Sequence, residues 1–515
     1  MITTTDQATA QASTTTPEIA RLSSWPAERW RELANRLREI EVNEDNLAPI
    51  SSVLPNMLPR LSLPMRRWFL RQQTSNFSHA ARLLIYGDSI SAKEAQSAFG
   101  GSLTSAMQDS GLVRANSEGM LISPFRLSVT NHLFLLGDNL QNGGDAVMAL
   151  GNTTLALIGA TDSPHLGKVL DLGCGAGAIA LTLAQHAESV VATDINPRAC
   201  AFGRINAILN GVTHVEFRIG DLYQPVTEEH FDLIVSQPPF IPMPEGSRPT
   251  TFLFGGPRGD ELPSRVLSGA SEHLREGGRA VVLVQWPARD ADMLTDRVRS
   301  LVPSNVDVLL LTYPPLDLNI FCLAYAGFQH QEFDKRFDAN LMRWRDHFQS
   351  MDIHSLKHCY NVLRKRSHGA GWTHEVCPAL GLPDSASITQ LFARFELLSA
   401  GDEALLNARL RIRPDAMLLS EKPLATRSKE KCVVHFQSAV MSRPAEVNRE
   451  MLALMKALDR SATVAEAMQS YSSEEASELL LAVREALLLG LLEVRTGIET
   501  ASSGVARRGR SIKIT

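Results

Sequence analysis

The run Val169-Leu-Asp-Leu-Gly-Cys-Gly-Ala-Gly177 sets three glycines and one carboxylate within nine positions. Gly173, Gly175 and Gly177 allow a tight turn and let a ligand approach the backbone closely. Cys174 sits inside that turn as a small side chain, and Asp171 stands just before it. A dinucleotide site asks for GxGxxG with a pyrophosphate on the following helix. Here the place of the third glycine is taken by Ala178. A carboxylate two positions before the first glycine would repel a pyrophosphate and attract a cation. The charge therefore favours S-adenosylmethionine over NAD.

Two further carboxylates follow in order. Asp194 lies 23 positions after Asp171, where a carboxylate can accept both ribose hydroxyls, and Ile195 can cover one face of adenine. Gly220-Asp221-Leu222 comes next, with Asp221 placed to accept from the adenine amino group. Each of these residues closes an expected strand, the end at which open α/β sheets bind ligands. Singly, Asp194 and Asp221 read as solvated turn residues; the sequence of all three segments carries the cofactor reading.

With these segments the chain resembles the class I S-adenosylmethionine-dependent methyltransferases over about Thr153 to Gly327. Ser236-Gln-Pro-Pro-Phe240 is similar to the NPPY/NPPF motif of amino-group methyltransferases, a group that includes the glutamine methyltransferases of peptide release factors and several base methyltransferases. Phe254-Gly-Gly-Pro-Arg-Gly-Asp-Glu-Leu262 is similar to the stretch that follows in the glutamine enzymes. A wider resemblance, Trp30 to Val494, is to multidomain bacterial methyltransferases with a winged N-terminal region and a helical C-terminal extension. The NPPY/NPPF resemblance implies that Gln237 and the Pro238 carbonyl orient an acceptor nitrogen. It further implies that Phe240 stacks on the acceptor, that Pro239 helps line its site, and that Gln237 also borders the cofactor. Gln237 replaces the family Asn and adds one methylene, so its amide oxygen cannot occupy the same place without a shift of backbone or substrate.

These residues need a frame. From Lys168 to about Gly327 short apolar strands alternate with helices, the pattern of a doubly wound parallel sheet. Val169–Leu172, Val190–Thr193, Val215–Ile219, Leu233–Ser236, Ala280–Gln285, Val306–Leu311 and Ile320–Tyr325 read as its strands. Upstream, helices at Ala80–Ile85, Ser91–Phe99 and Leu103–Leu112 precede two short strands about the turn Asn116–Gly119, the order of a winged helix. Downstream the chain is mostly helical, with a second winged-helix-like run near its end. The expected domains are a disordered tail (1–17), a helical, winged-helix-like region (18–145), a cofactor-binding Rossmann-like domain (146–328), a mostly helical region (329–500) and a basic tail (501–515).

Composition bounds the function. Of 515 residues, 51 are Lys or Arg and 56 Asp or Glu, a formal net charge of −5 that argues against a dedicated nucleic-acid coat. Six cysteines without a CxxC do not make a disulfide scaffold. No secretory leader or membrane span is read, so a cytoplasmic protein is expected. His354 and His358 have the i,i+4 spacing of two ligands on a helix, yet no acidic partner joins them and no metal is expected. The reading is an S-adenosylmethionine-dependent transfer to an amide or amine nitrogen of a peptide, protein or amino-acid-derived metabolite. The alternatives are an RNA or DNA base, or an oxygen or sulfur of a small metabolite. Oligomeric state is left open.

Overall fold

A computed structural model describes residues 16–51, 59–139, 144–247, 251–288, 293–329, 334–378, 382–421, 431–436, 444–469 and 471–495. Most of the expected N-terminal tail and all of the basic tail lie outside them. The chain forms two compact units, residues 1–378 with 382–385, and 379–381 with 386–515.

The first unit is built on a nine-stranded sheet. Its strands are β3 (Leu166–Leu172), β4 (Ala187–Asp194), β5 (Val215–Ile219), β6 (Phe231–Ser236), β7 (Leu274–Ala288), β8 (Val306–Thr312), β9 (Ser355–Lys365) and β10 (Thr373–Val376), after a separate hairpin of β1 (Phe125–Thr130) and β2 (Leu133–Asp138). Across the sheet the order is β10-β8-β9-β7-β6-β3-β4-β5, with a two-residue strand at Leu316–Asp317 beside β9. Only β9 runs against the rest; the short strand, antiparallel to β9, runs with them. Buried on both faces, the central strands read as near-continuous aliphatic runs, Val281–Val284 and Val308–Leu311 among them. Helices α5 (Asn152–Thr161), α6 (Ala178–Leu183), α7 (Pro197–Asn210), α8 (Glu261–His273) and α9 (Leu294–Ser300) connect or flank them. This is the doubly wound, Rossmann-like class I sheet expected from the alternation.

Two expectations change. Ile320–Tyr325 is not a strand; it lies within helix α10 (Leu318–Gln329), followed by α11 (Lys335–Ser350). A short apolar run cannot be assigned by periodicity alone, and here the apolar stretch continues through Ala326, long enough for a helix. β9 is inserted between β7 and β8 and β10 forms the edge, so the sheet draws both strands from beyond residue 328, the expected edge of the domain.

Upstream of the sheet, helices α1 (Pro17–Ser23), α2 (Ala27–Glu39), α3 (Ala92–Phe99) and α4 (Gly101–Asp109) are followed by two-residue strands at Arg114–Ala115 and Leu121–Ile122. α3 opens on a reciprocal capping box of Ser91 and Glu94. The β1–β2 hairpin was not expected, and it ties this region to α7. Asn206 exchanges hydrogen bonds with the Leu136 backbone at 2.7 and 2.9 Å, and Asn210 does the same with Phe134 at 2.8 and 2.7 Å. Asp138, buried at the end of β2, accepts from Arg198 Nε at 2.7 Å and from the Val147 N–H at 2.9 Å.

The second unit is less uniformly helical than expected. Helices at Ser385–Ser399, Asp402–Asn407, Arg449–Arg460 and Ser473–Leu488 share a core with a three-stranded antiparallel sheet of Ala416–Glu421, Lys431–Phe436 and Ala445–Val447. Leu410–Ile412 pairs antiparallel with Leu492–Val494.

Because Arg198 and Asp138 are both buried, removing one charge strands the other. Arg198→Met should destabilise the fold by about 3–5 kcal/mol. Denaturant titration of the full chain checks this; a loss under about 1 kcal/mol would show that the hairpin does not depend on the pair.

Candidate functional site

One cavity of about 560 Å³ opens at the carboxyl ends of β3, β4, β5's following turn and β6. Gly173, Gly175, Asp194, Ile195, Asp221, Leu222, Gln237, Pro238 and Pro239 all line it. Residues from four separate turns, named from the sequence, thus meet at one place. Asp171, Cys174, Gly177 and Phe240 do not reach its wall.

The glycine turn has the backbone its residues permit. Gly173, Gly175 and Gly177 have φ of 78, 52 and 83°. A Cβ at Gly177 would also lie 3.0 Å from the Phe217 ring, so no other residue fits there without displacing it. The turn is pinned to the neighbouring strand by Gly173 and Cys174, whose N–H groups donate to the Thr193 carbonyl at 2.8 and 2.9 Å. Cys174 is buried, and its thiol is pushed up by a hydrogen bond with Cys200 and by burial. It packs beneath the turn rather than facing a ligand.

Two carboxylates support the turn from below. Asp171 is buried, and its Oδ2 accepts the Ala180 N–H at 2.9 Å, while Oδ1 has no hydrogen-bond partner. Burial pushes its carboxyl up to about 7, with Asp194 adding repulsion and the Ala180 N–H opposing. Asp194 accepts from the Gly175 N–H at 2.9 Å and the Asn196 N–H at 2.8 Å. Burial pushes it up too, against those two N–H groups. A carboxylate has about four lone-pair sites, so Asp194 keeps two for ligand hydroxyls. Ile195 is 58 % exposed at the cavity wall, an apolar face for a flat ring. Asp221 is held by Arg265 at 2.7 Å, and Arg265 itself lines the cavity. Nothing in the sequence marks Arg265, which looks like any polar position of a surface helix.

Gln237 is fixed from the far side. Its Nε2 donates to Thr153 Oγ1 at 2.6 Å, and its Oε1 accepts from Thr154 Oγ1 at 3.5 Å. Both threonines belong to the first turn of α5. The extra methylene therefore lets the side chain reach a helix, which settles its amide while Oε1 keeps a second lone pair. Phe240 packs into two core clusters and stays off the wall; Phe252 and Phe254 supply the aromatic lining instead. A Cβ at Gly255 would stand 2.5 Å from the Pro239 carbonyl oxygen, so this glycine lets the Phe254 strand press against the Pro-Pro turn.

Two aromatic residues at strand ends, and the histidine pair, are structural. Tyr223 stacks on His273 at 4.5 Å and donates to the Val266 carbonyl at 2.8 Å, and Trp286 is buried with its indole N–H on Asn361. His354 precedes β9 and His358 lies in it, not on a helix; four strand residues span roughly 13 Å, beyond a shared ligand. Among the described residues no three His, Cys, Asp or Glu side chains converge.

S-adenosylmethionine fits these groups: hydroxyl acceptors at Asp194, an apolar face at Ile195, and a buried negative centre for a cationic ligand. Residues 148–302 match the family described as the methyltransferase small domain. The release factor glutamine methyltransferase of Xylella fastidiosa is 39% identical over 131 residues, covering 23% of this chain and 47% of that one. That of Geobacter sulfurreducens is 37% identical over 132 residues, covering 23% and 46%. That of Koribacter versatilis is 37% identical over 135 residues, covering 24% and 48%. The chain spans about half the length of the curated relatives it matches.

The empty site should titrate. Protonated Asp171 stabilises the fold at pH below its unfolded value near 4, and that contribution is lost as pH rises through about 7. Asp171→Asn should melt above the wild type at pH 8 and near it at pH 4, while binding S-adenosylmethionine more weakly. Wild-type affinity should fall by up to tenfold per pH unit below 7 in calorimetry. Asp194→Ala should weaken cofactor binding roughly 10- to 100-fold, the loss of hydrogen bonds to a charged group; unchanged affinity would remove it from the site.

Proposed function

We propose that this chain transfers the methyl group of S-adenosylmethionine to an amide nitrogen of a protein, with residues 148–302 holding the cofactor. The observation that carries the reading is the position of Gln237. Its amide borders the same cavity as Gly173, Gly175 and Asp194, and Thr153 and Thr154 hold it there. The matched family region, residues 148–302, contains all of these residues, and the release factor glutamine methyltransferases that the chain resembles support a protein acceptor.

Bound S-adenosylmethionine would supply an electrophilic methyl group on a sulfonium. The work left to this chain is to hold a poor nucleophile in line with it. Gln237 Oε1 accepts one N–H of the acceptor amide, and the Pro238 carbonyl accepts the other. The two acceptors orient the nitrogen and draw off positive charge as it forms. Asp171 and Asp194 fix the glycine turn, and Asp194 takes the ribose hydroxyls. Asp221, released from Arg265 or sharing it, accepts the adenine amino group. Pro239, Phe252 and Phe254 shape the acceptor side, where an apolar wall excludes water from the nitrogen.

Incubation with labelled S-adenosylmethionine and a purified release factor, followed by fragmentation of the labelled peptide, tests the assignment. Label on a glutamine side-chain nitrogen is expected. Label found only in nucleic acid or small molecules of a host extract would overturn it. Thr153→Val should lower kcat by about 10²-fold, the cost of a nucleophile displaced by about 1 Å, with cofactor affinity unchanged. Thr153→Ser should restore most of the rate.

A further inference from the structure

Strands β8 and β9 are antiparallel neighbours, with Thr312 opposite Cys359. Such a pair needs only a short turn. Instead residues 313–354 intervene, and helices α10 and α11 make up most of them. The chain leaves β8 at the same edge of the sheet where Gly173, Asp194 and Gln237 follow their strands. The sheet itself does not require this excursion.

The excursion is packed onto the segment that follows Gln237. Phe321, Trp344 and Phe348 share one core with Ile241, and Phe254 packs against that core. Phe254 has its ring 6.2 Å from that of Trp344, at an interplanar angle of 25°. It also lines the cavity. Further along, His347 Nε2 lies 2.7 Å from the Pro257 carbonyl oxygen. Trp344 is fully buried, so it has no contact of its own with a substrate. Among the described residues its ring stacks on Phe254, which carries that packing to the cavity wall.

We infer that the α10–α11 excursion is the element that sets acceptor choice, with Trp344 and His347 as positioning residues that hold the Phe254 wall against the acceptor amide. The inference rests on the proposed protein-amide reading for the identity of the acceptor, but not for the mechanics. The glycine turn is tied to β4 through Thr193 and Asp194, and this wall is tied to the excursion. The glycine turn and the Phe254 wall are therefore held by different elements, although the Thr251 N–H reaches the Gly144 carbonyl between the two sides.

His347→Ala leaves the aromatic core in place and removes one tie; Trp344→Ala removes the backing, and Trp344→Phe keeps part of it. Backbone hydrogen exchange over 241–257 should speed up in His347→Ala and more in Trp344→Ala, with exchange over 172–175 unchanged. S-adenosylhomocysteine affinity by calorimetry should stay within twofold of wild type in both. With release factor as the probe, KM for the protein should rise about tenfold in Trp344→Ala with a smaller change in kcat, and Trp344→Phe should recover most of it. Unchanged exchange over 241–257 in both alanine variants would overturn the inference, whatever the acceptor proves to be. So would faster exchange accompanied by an equal loss of cofactor affinity, because the wall would then not be separate from the cofactor half. Wild-type protein that fails to label release factor, with the exchange pattern as expected, would count against the protein-amide reading and leave the mechanical assignment supported.

Discussion

Two neighbouring carboxylates, Asp171 buried and Asp194 half-buried at the cavity wall, are the costliest feature of this fold. Asp171 and Asp194 end adjacent parallel strands, and each is driven toward its neutral form by burial. Among the described residues, three backbone N–H groups, from Ala180, Gly175 and Asn196, hold them. Much else follows from that arrangement. The glycine turn must fold over them to bring the Gly175 N–H to Asp194. β3 and β4 must stay in register for Thr193 to take the turn's first two N–H groups. A site so loaded with negative charge is poorly suited to phosphates and well suited to a cation. Its instability when empty is the counterpart of its affinity when filled.

The remaining parts of the first unit brace this centre from several directions. The segment after β2 walls the cavity with Ala146, Val147 and Met148. Asp138 holds it at Val147, and Asn196 reaches its Asp145 carbonyl at 3.1 Å. The Thr251 N–H meets the Gly144 carbonyl at 3.2 Å, so the acceptor-side segment touches the cofactor-side one. A chain that used only the sheet would lack all three of these supports.

The cofactor half was legible because its chemistry is local. Glycines with positive φ, a carboxylate two positions before them and further acids at strand ends can be read from spacing alone. The sheet was legible for the same reason: Val281–Val284 and Val308–Leu311 are aliphatic runs of strand length between turn residues. The acceptor half was not, because its meaning is tertiary. Phe240 carries the motif's aromatic position, yet its ring turns into the core, and Phe252 and Phe254 take the wall. Gln237 looked like a disturbed acceptor until Thr153 and Thr154 showed what its extra length reaches. Ile320–Tyr325 has strand-like composition, and only its neighbours make it helical. Arg265 and Trp344 carry no signal beyond ordinary helix positions.

The two asparagines of α7 act as a ruler. Residues four apart on a helix rise roughly 6 Å, and residues two apart on a strand roughly 6.8 Å, so Asn206 and Asn210 match the spacing of Leu136 and Phe134. A slip of β2 by one residue would present the amides with backbone groups that face β1. The hairpin can therefore be read by the helix in one frame only. Two positions further along β2 stands Asp138, whose reach to Val147 sets one wall of the cavity. The width of a binding site is thus gauged by side chains that never touch its contents.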